Sequence, residues 1–404
     1  MYDWANSAFA AIIQTFVFAA YFTGSVAVND AMGTAQWGFT ASIAGIFVAL
    51  GSPFLGAIAD HSGHRKKWVI ALTIICVIAT GLLWTIKPSP EYVTGALVLV
   101  GIAIIASEYS YIFYNSMLPG LAPPEMIGRW SGWGWSMGYA GGTVSLLIAL
   151  FLVYQGPDLL GLDASQAQPI RATTLLTAAW LLLFALPLFF FTPEVSTSKK
   201  PFLQAVTDGL KQLKTTISNI HQYSQIARLL AAHLFYLDAL STLFVFGGVY
   251  AASVFQMSAK EIIAFGIALN IVSGLGAWFF AFVDDRLGSK KTIIIGLINL
   301  LVFISLVLLA PTKTLFWIAA LFAGIFVGPV QASTRSYLAR ISPPHLQVQM
   351  FGFLSLSGRC TAFLGPALVG WATYISGDER IGMTPILALL TIGFLILLTT
   401  PKDK

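Results

Sequence analysis

Charge is what this sequence has least of. Of its 404 residues only 10% are Asp, Glu, Lys or Arg, while 57% are hydrophobic; ordinary soluble domains carry about 25% charged residues. That composition excludes a soluble globular protein and places the chain in the integral-membrane class. Cysteine is nearly absent too. Cys76 and Cys360 both fall inside apolar runs, so neither a disulfide framework nor a zinc-ligand spacing is present. There is no G-x-x-x-x-G-K-[ST], hence no nucleotide-driven motor within the chain. There is no H-E-x-x-H and no Cys/His cluster, and the five histidines are not paired at catalytic spacing. An enzyme, a metal and a cofactor are therefore not expected. The net charge of +5 lies in short loops between apolar runs, which speaks for membrane orientation rather than nucleic acid. A basic n-region followed by a short apolar stretch and a small-residue cleavage site is also missing, so no cleavable signal peptide is expected.

What the sequence does have is apolar runs long enough to cross a bilayer, about 20 residues each. They predict an all-α integral membrane protein with twelve transmembrane helices near 1–26, 37–59, 68–86, 92–114, 129–154, 171–191, 225–253, 261–283, 291–310, 313–334, 347–375 and 383–400. The longest polar stretch, Pro193 to Ser224, separates six spans from six. This predicts an N-terminal six-helix bundle (1–192), a linker (193–224) and a C-terminal six-helix bundle (225–404). The linker carries Lys199, Lys200, Lys211 and Lys214, with Phe202, Val206, Leu210, Leu213, Ile217 and Ile220 at helical spacing. Part of it reads as an amphipathic helix on the cytoplasmic membrane surface, in contact with lipid. With a cytoplasmic first end, five basic residues lie outside (Lys87, Arg171, Lys260, Lys313, Arg380) and Arg359 lies within a span; the other 16 of the 22 Lys and Arg lie inside. The positive-inside rule then puts both termini in the cytoplasm.

The two halves repeat one another. GAIADHSGHRKKW follows the second span and AFVDDRLGSKKTI the eighth: Asp60 aligns with Asp285, Gly63 with Gly288, and Arg65/Lys66 with Lys290/Lys291, all 225 residues apart. NSMLPGLAPP follows the fourth span and RSYLARISPP the tenth. At an offset of 220, Asn115 meets Arg335, Ser116 meets Ser336, Leu118 meets Leu338, Pro123/Pro124 meet Pro343/Pro344, Gly132 meets Gly352 and Gly138 meets Gly358. The bundles are thus pseudo-symmetric.

The loop pattern G-x-x-x-D-x-x-G-x-[RK]-[RK], carried by Gly56, Asp60, Gly63, Arg65 and Lys66, resembles the major facilitator superfamily. Its second copy, Asp285, Arg286, Gly288, Lys290 and Lys291, has Ala281 in place of the leading glycine, which predicts a weaker latch there. In this reading the glycine permits a tight reversal, and the aspartate holds basic residues in a charge cluster that latches the halves in one state. The alternative is a plain positive-inside anchor. The opening YDWANSAFA narrows the match: with GYAGG (Gly138 to Gly142), PVQASTRSYLAR (Pro329 to Arg340) and SGR…FLGP (Ser357 to Pro366), it resembles the vacuolar effluxer family of fungal autophagy-related amino-acid exporters and their bacterial relatives. The resemblance implies a major facilitator fold and, for the fungal members, export of amino acids from the vacuole. The short loops suit a bacterial inner membrane.

Each ionisable residue in a span needs a reason, because a charge there costs at least a few kcal/mol. Asp238 lies about 15 Å past Arg228 along a helix, near the midplane. Asp3 matches it at an offset of 235, within Tyr2-Asp3-x-x-x-Ser7 against Tyr236-Leu237-Asp238-x-x-Ser241. The family resemblance places the first and seventh spans along a central cavity, so these acids would face one another across the substrate path, with Asn6 as Asp3's partner one turn on. Alternatively each tethers a neighbouring helix. Because Asp3 has only two residues before it, a longer natural N-terminus is expected. Glu108 is a candidate proton or cation site, or a salt-bridge partner. Arg359 binds a substrate carboxylate or neutralises an acid such as Glu108. Tyr109, Tyr111, Tyr236 and Tyr250 offer hydroxyls or packing surfaces, and His233 reads as a packing histidine. Gln331, Ser333 and Arg335 fall at the cytoplasmic mouth. Gly134, Gly138 and Gly142 give the fifth span a small-residue face, and Gly365-Pro366 kinks the eleventh.

The functional expectation is a monomeric secondary transporter that moves a small solute, an amino acid or similar zwitterion, by alternating access with protons as the coupling ion. The rivals are an exporter of amphiphilic compounds such as drugs or siderophores, which the 13% aromatic content suits, and a non-transporting membrane sensor or scaffold.

Overall fold

A computed structural model describes residues 1–194 and 202–400 of the chain. Lys199 and Lys200 of the linker lie outside the described residues, as do the side chains of Phe202 and Lys260. Nearly all of the chain is helical. The elements are α1 (Tyr2–Val26), α2 (Asp30–Ser62), α3 (Arg65–Thr85), α4 (Pro90–Leu121), α5 (Pro124–Leu160), α6 (Gln168–Phe191), α7 (Phe202–Ser218), α8 (Ile220–Phe255), α9 (Ala259–Leu287), α10 (Ser289–Leu309), α11 (Lys313–Ile341), α12 (Gln347–Cys360), α13 (Leu364–Ser376) and α14 (Glu379–Leu398). Eleven of these are long and apolar enough to cross a membrane. The predicted eleventh span is the exception, because the chain breaks it into α12 and α13 at 361–363. Counting that broken span, the twelve-helix architecture holds, and the protein is an integral membrane protein.

Helix is the form these runs must take, since a lipid-facing backbone has no water to bond with and must satisfy its own N–H and C=O groups. Large apolar side chains such as Phe39, Leu50 and Phe191 accordingly point outward, where lipid rather than water is the expected neighbour. The helices run further than the apolar runs alone: α2 begins at Asp30 and ends at Ser62, beyond the predicted 37–59. α1 is irregular, with π-helical turns at Phe9–Phe16 and Phe22–Val26. Two motif glycines sit where the chain reverses, Gly63 at φ 72° and Gly288 at φ 90°, a region that side chains with a Cβ avoid. α9 opens with a capping box, in which Ser258 and Glu261 bond each other's backbone N–H.

The described residues form two compact units. One holds 1–51, 63–114 and 137–194; the other holds 52–62, 115–136 and 202–400. The ends of α2, α4 and α5, which belong to the first half of the repeat, therefore pack within the unit that contains the second half. In the first unit, Trp4 stacks on Trp180 with ring centroids 5.6 Å apart, and Trp180 Nε1 donates to the Trp4 carbonyl at 3.1 Å. α5 crosses α1 closely: a Cβ on Gly141 would lie 2.7 Å from the Trp4 carbonyl oxygen. In the second unit, α7 lies against the end of α2, where a Cβ on Gly209 would come within 2.9 Å of the Ala57 backbone. α7 also exposes Leu210 and Ile217 together with Lys211 and Lys214.

Candidate functional site

In the first unit, Asp3 is 4% exposed, and both carboxylate oxygens accept tyrosine hydroxyls. Tyr111 donates to Oδ1 at 2.9 Å and Tyr114 donates to Oδ2. The two tyrosines are three residues apart on α4 and so share a face. Asn6, expected to partner Asp3, instead accepts the Ser107 hydroxyl at 2.8 Å. Tyr2 shares its hydroxyl with Thr73 at 2.7 Å and with Ser110. Tyr109 donates to the Phe47 carbonyl at 2.5 Å, and Glu108 beside it is half-buried.

In the second unit, Asp238 is 1% exposed on α8. Its Oδ2 accepts the backbone N–H of Gly365 at 2.9 Å, in the first turn of α13. A buried carboxyl on one helix thus caps the second half of a broken neighbour. Its Oδ1 has no partner, and neither does the Thr242 hydroxyl one turn further along α8. Both oxygens gather around one point: a Cβ on Gly365 would lie 2.0 Å from Thr242 Oγ1 and 3.1 Å from Asp238 Oδ1. The glycine is what allows α13 to come so near. Tyr236 bonds the Thr334 hydroxyl at 2.7 Å, and His233 Nδ1 bonds Ser357 at 2.8 Å, consistent with packing and tethering of helices. Gln331 is half-buried on α11. Arg359 is half-buried in the last turn of α12, where the helix dipole favours a cation.

The loop motif is placed with more symmetry than the sequence alone discloses. Asp60, at the end of α2, accepts the N–H groups of Val348 at 3.1 Å and Gln349 at 2.9 Å, capping α12. Asp285, at the end of α9, accepts those of Gly128 at 2.8 Å and Arg129 at 3.1 Å, capping α5. The two acids are 225 residues apart and their targets 220, so the repeat extends to the contacts themselves. The close approaches repeat likewise: a Cβ on Gly352 would lie 2.4 Å from the Ser52 carbonyl oxygen, and one on Gly132 would lie 2.6 Å from that of Ala277. Gly56 meets α12 in the same way, 2.7 Å from the Val348 carbonyl oxygen.

The cations around Asp285 come from other helices, Arg129 Nε at 2.7 Å and Arg340 at 2.9 Å. Asp284 accepts Ser336 at 2.6 Å and Ser289 at 2.8 Å, with Arg340 at 3.4 Å. The second copy, which lacks the leading glycine, is bonded through both of its acids. Of its basic pair, Lys290 donates to the Leu398 and Thr400 carbonyls, while Lys291 is exposed, as is Arg286. In the first copy, Lys66 donates through Nζ to the Thr192 carbonyl at 2.6 Å and through its backbone N–H to Glu194 at 3.1 Å, while Arg65 is buried. Arg335 reaches Ser131 at 2.8 Å and Asn115 at 3.0 Å. The residues that sequence reasoning missed are Tyr114, Thr242, Arg129 and Arg340. Only Tyr114 had a signal, its spacing from Tyr111.

Solved structures with the same fold include the proton:xylose symporter XylE bound to a deoxyglucose analogue, at TM-score 0.76 and 13% identity, covering 100% of this chain and 94% of that one. FucP in the outward conformation matches at TM-score 0.74 and 14% identity, covering 99% and 96%. Among sequences, the uncharacterized MFS-type transporter YxiO of Bacillus subtilis is 26% identical over 100% of this chain and 94% of its own length. Autophagy-related protein 22-2 of Aspergillus niger is 20% identical over 91% and 75%. The sequence profile of the family described as "Vacuole effluxer Atg22 like" matches residues 25–404, nearly the whole chain, and the protein belongs to that family.

Proposed function

We propose that this protein is a secondary transporter, and not an enzyme, moving a small solute across the membrane by alternating access, with protons as the coupling ion. The observation that carries the coupling is Asp238. A carboxyl group out of water needs partners for both oxygens, and here Oδ2 has one while Oδ1 has none. A proton on Oδ1 removes the buried charge and creates a donor beside the equally unpartnered Thr242 hydroxyl. Asp3 differs: both of its carboxylate oxygens accept tyrosine hydroxyls. In this reading Asp238 is the titrating group and Asp3 an acceptor for a substrate amine.

The substrate class we favour is amino acids or similar zwitterions. Arg359 supplies the counter-charge for a carboxylate, and the family is described by vacuolar efflux. The protein works as a monomer in a bacterial inner membrane with both termini in the cytoplasm, and its two six-helix halves, 1–192 and 225–404, rock about the bound solute. The Asp60 and Asp285 caps are the contacts made and broken in that motion. Uptake into proteoliposomes, screened over amino acids with and without an imposed pH gradient, tests the proposal. Gradient-driven accumulation of at least one amino acid is expected. If Asp238→Asn leaves it intact, the proton assignment is wrong; if no solute moves, a sensor role gains.

A further inference from the structure

One cavity lies well away from these acids. It is a space of about 320 Å³ in the second unit, where the far end of α8 meets α13 and the start of α14. Phe246 and Tyr250 of α8, Thr373 and Tyr374 of α13, and Glu379 and Met383 of α14 line it. Tyr250 is 12 residues beyond Asp238, about 18 Å along the same helix. The cavity is of the size that small-molecule sites have.

Two of its polar groups are uncommitted. The Tyr250 hydroxyl is buried without a hydrogen-bond partner, although the residue is only 2% exposed. Buried hydroxyls are rarely left so without a ligand or water to meet them. The Glu379 carboxylate makes no hydrogen bond or ion pair among the described residues, and it is half-buried. The neighbouring Arg380 donates to the Leu308 carbonyl at 2.6 Å and lies 5.4 Å from the Phe255 ring centroid, and its charge reaches the Tyr250 hydroxyl together with those of Asp378 and Glu379. Asp378, the preceding acid in the chain, accepts the Arg380 backbone N–H at 2.6 Å through its carboxylate. The result is a carboxylate beside three aromatic side chains, with one unused hydroxyl at depth.

We infer that this cavity is a binding site for a small organic cation: an ammonium held by Glu379 and by the aromatic faces of Phe246, Tyr250 and Tyr374, on a body carrying an oxygen that meets the Tyr250 hydroxyl. Ring faces attract ammonium groups within about 6 Å, and a carboxylate adds the opposite charge. The site is distinct from the midplane acids and does not depend on the transport reading, since occupancy is measured as binding alone.

The test uses the purified full chain in lipid nanodiscs, with tyramine as the probe and tyrosol, in which a hydroxyl replaces the amine, as the neutral control. Calorimetry is expected to give tyramine at least about tenfold tighter than tyrosol, a difference of about 1.4 kcal/mol. Glu379→Gln is expected to bring the two within about threefold of each other while tyrosol binding stays unchanged, and Tyr250→Phe to weaken both ligands. Thermal unfolding shows whether each variant is folded, and Glu379→Asp, which keeps the charge, should retain the preference. Equal binding of the two probes to the unaltered protein would overturn the inference, as would absence of tyramine binding up to about 10 mM. A preference that survives Glu379→Gln but is lost in Asp238→Asn would move the cation to the midplane and overturn it equally.

Discussion

At the scale of single residues, the site turns on how completely each buried polar group is satisfied. Asp3 and Asp238 look alike in sequence, each an acid near a tyrosine, yet one accepts two hydroxyls and the other leaves an oxygen bare. Asp238→Asn keeps the oxygen that accepts the Gly365 N–H, so the protein should stay folded. Gradient-driven flux should fall at least about tenfold, while solute exchange at equal pH on both sides persists. Gly365→Ala should be poorly tolerated, because its Cβ would lie 2.0 Å from Thr242 Oγ1. Overpacking of this kind costs about 1–3 kcal/mol, read as a lowered unfolding temperature. Thr242→Ala in the same chain should recover much of that loss, and a double-mutant cycle measures the coupling. None of this was legible from the sequence. Asp238 stood out as an acid in an apolar run, but a threonine in such a run is common and its missing partner is visible only in three dimensions.

Secondary-structure elements were legible wherever the chain itself sets the limits. Polar loops at fixed offsets gave the repeat, and the glycines that must adopt positive φ, Gly63 and Gly288, stood at the turns the motif indicated. The kink expected at Gly365-Pro366 is a full break a few residues earlier, which leaves the proline in the first turn of α13. The π-helical turns of α1 had no such signal. Capping across the repeat also escaped the sequence, because Asp60 and its target Val348 are 288 residues apart. The caps carry their own prediction. Asp285→Ala removes the acceptor of two backbone N–H groups and the counter-charge of Arg129 and Arg340, all partly buried. A loss of about 2 kcal/mol is expected once solvent screening of the arginines is allowed for. Asp285→Asn should recover roughly half of it, because an amide oxygen still accepts from the helix end. Thermal unfolding of the purified variants checks both.

For the molecule as a whole, composition fixes the solvent and the repeat fixes the architecture, which is why class and fold were readable from the sequence. The grouping of 52–62 and 115–136 with the second half was not, since it depends on contacts rather than on periodicity. Those contacts put two acids on two helix ends in a two-fold pattern, the kind of element that can be made and unmade as a unit. Function is less legible than fold, because one architecture hosts many solutes. The central claim is that solute movement and proton movement are one process, joined at Asp238. The most direct measurement is internal pH in proteoliposomes loaded with a pH-sensitive dye, followed as an amino acid found to be transported is added in the absence of any imposed gradient. The account predicts a solute-dependent change in internal pH for the unaltered protein and none for Asp238→Asn, although that variant still exchanges the solute. Solute flux in the unaltered protein with no accompanying pH change would contradict it.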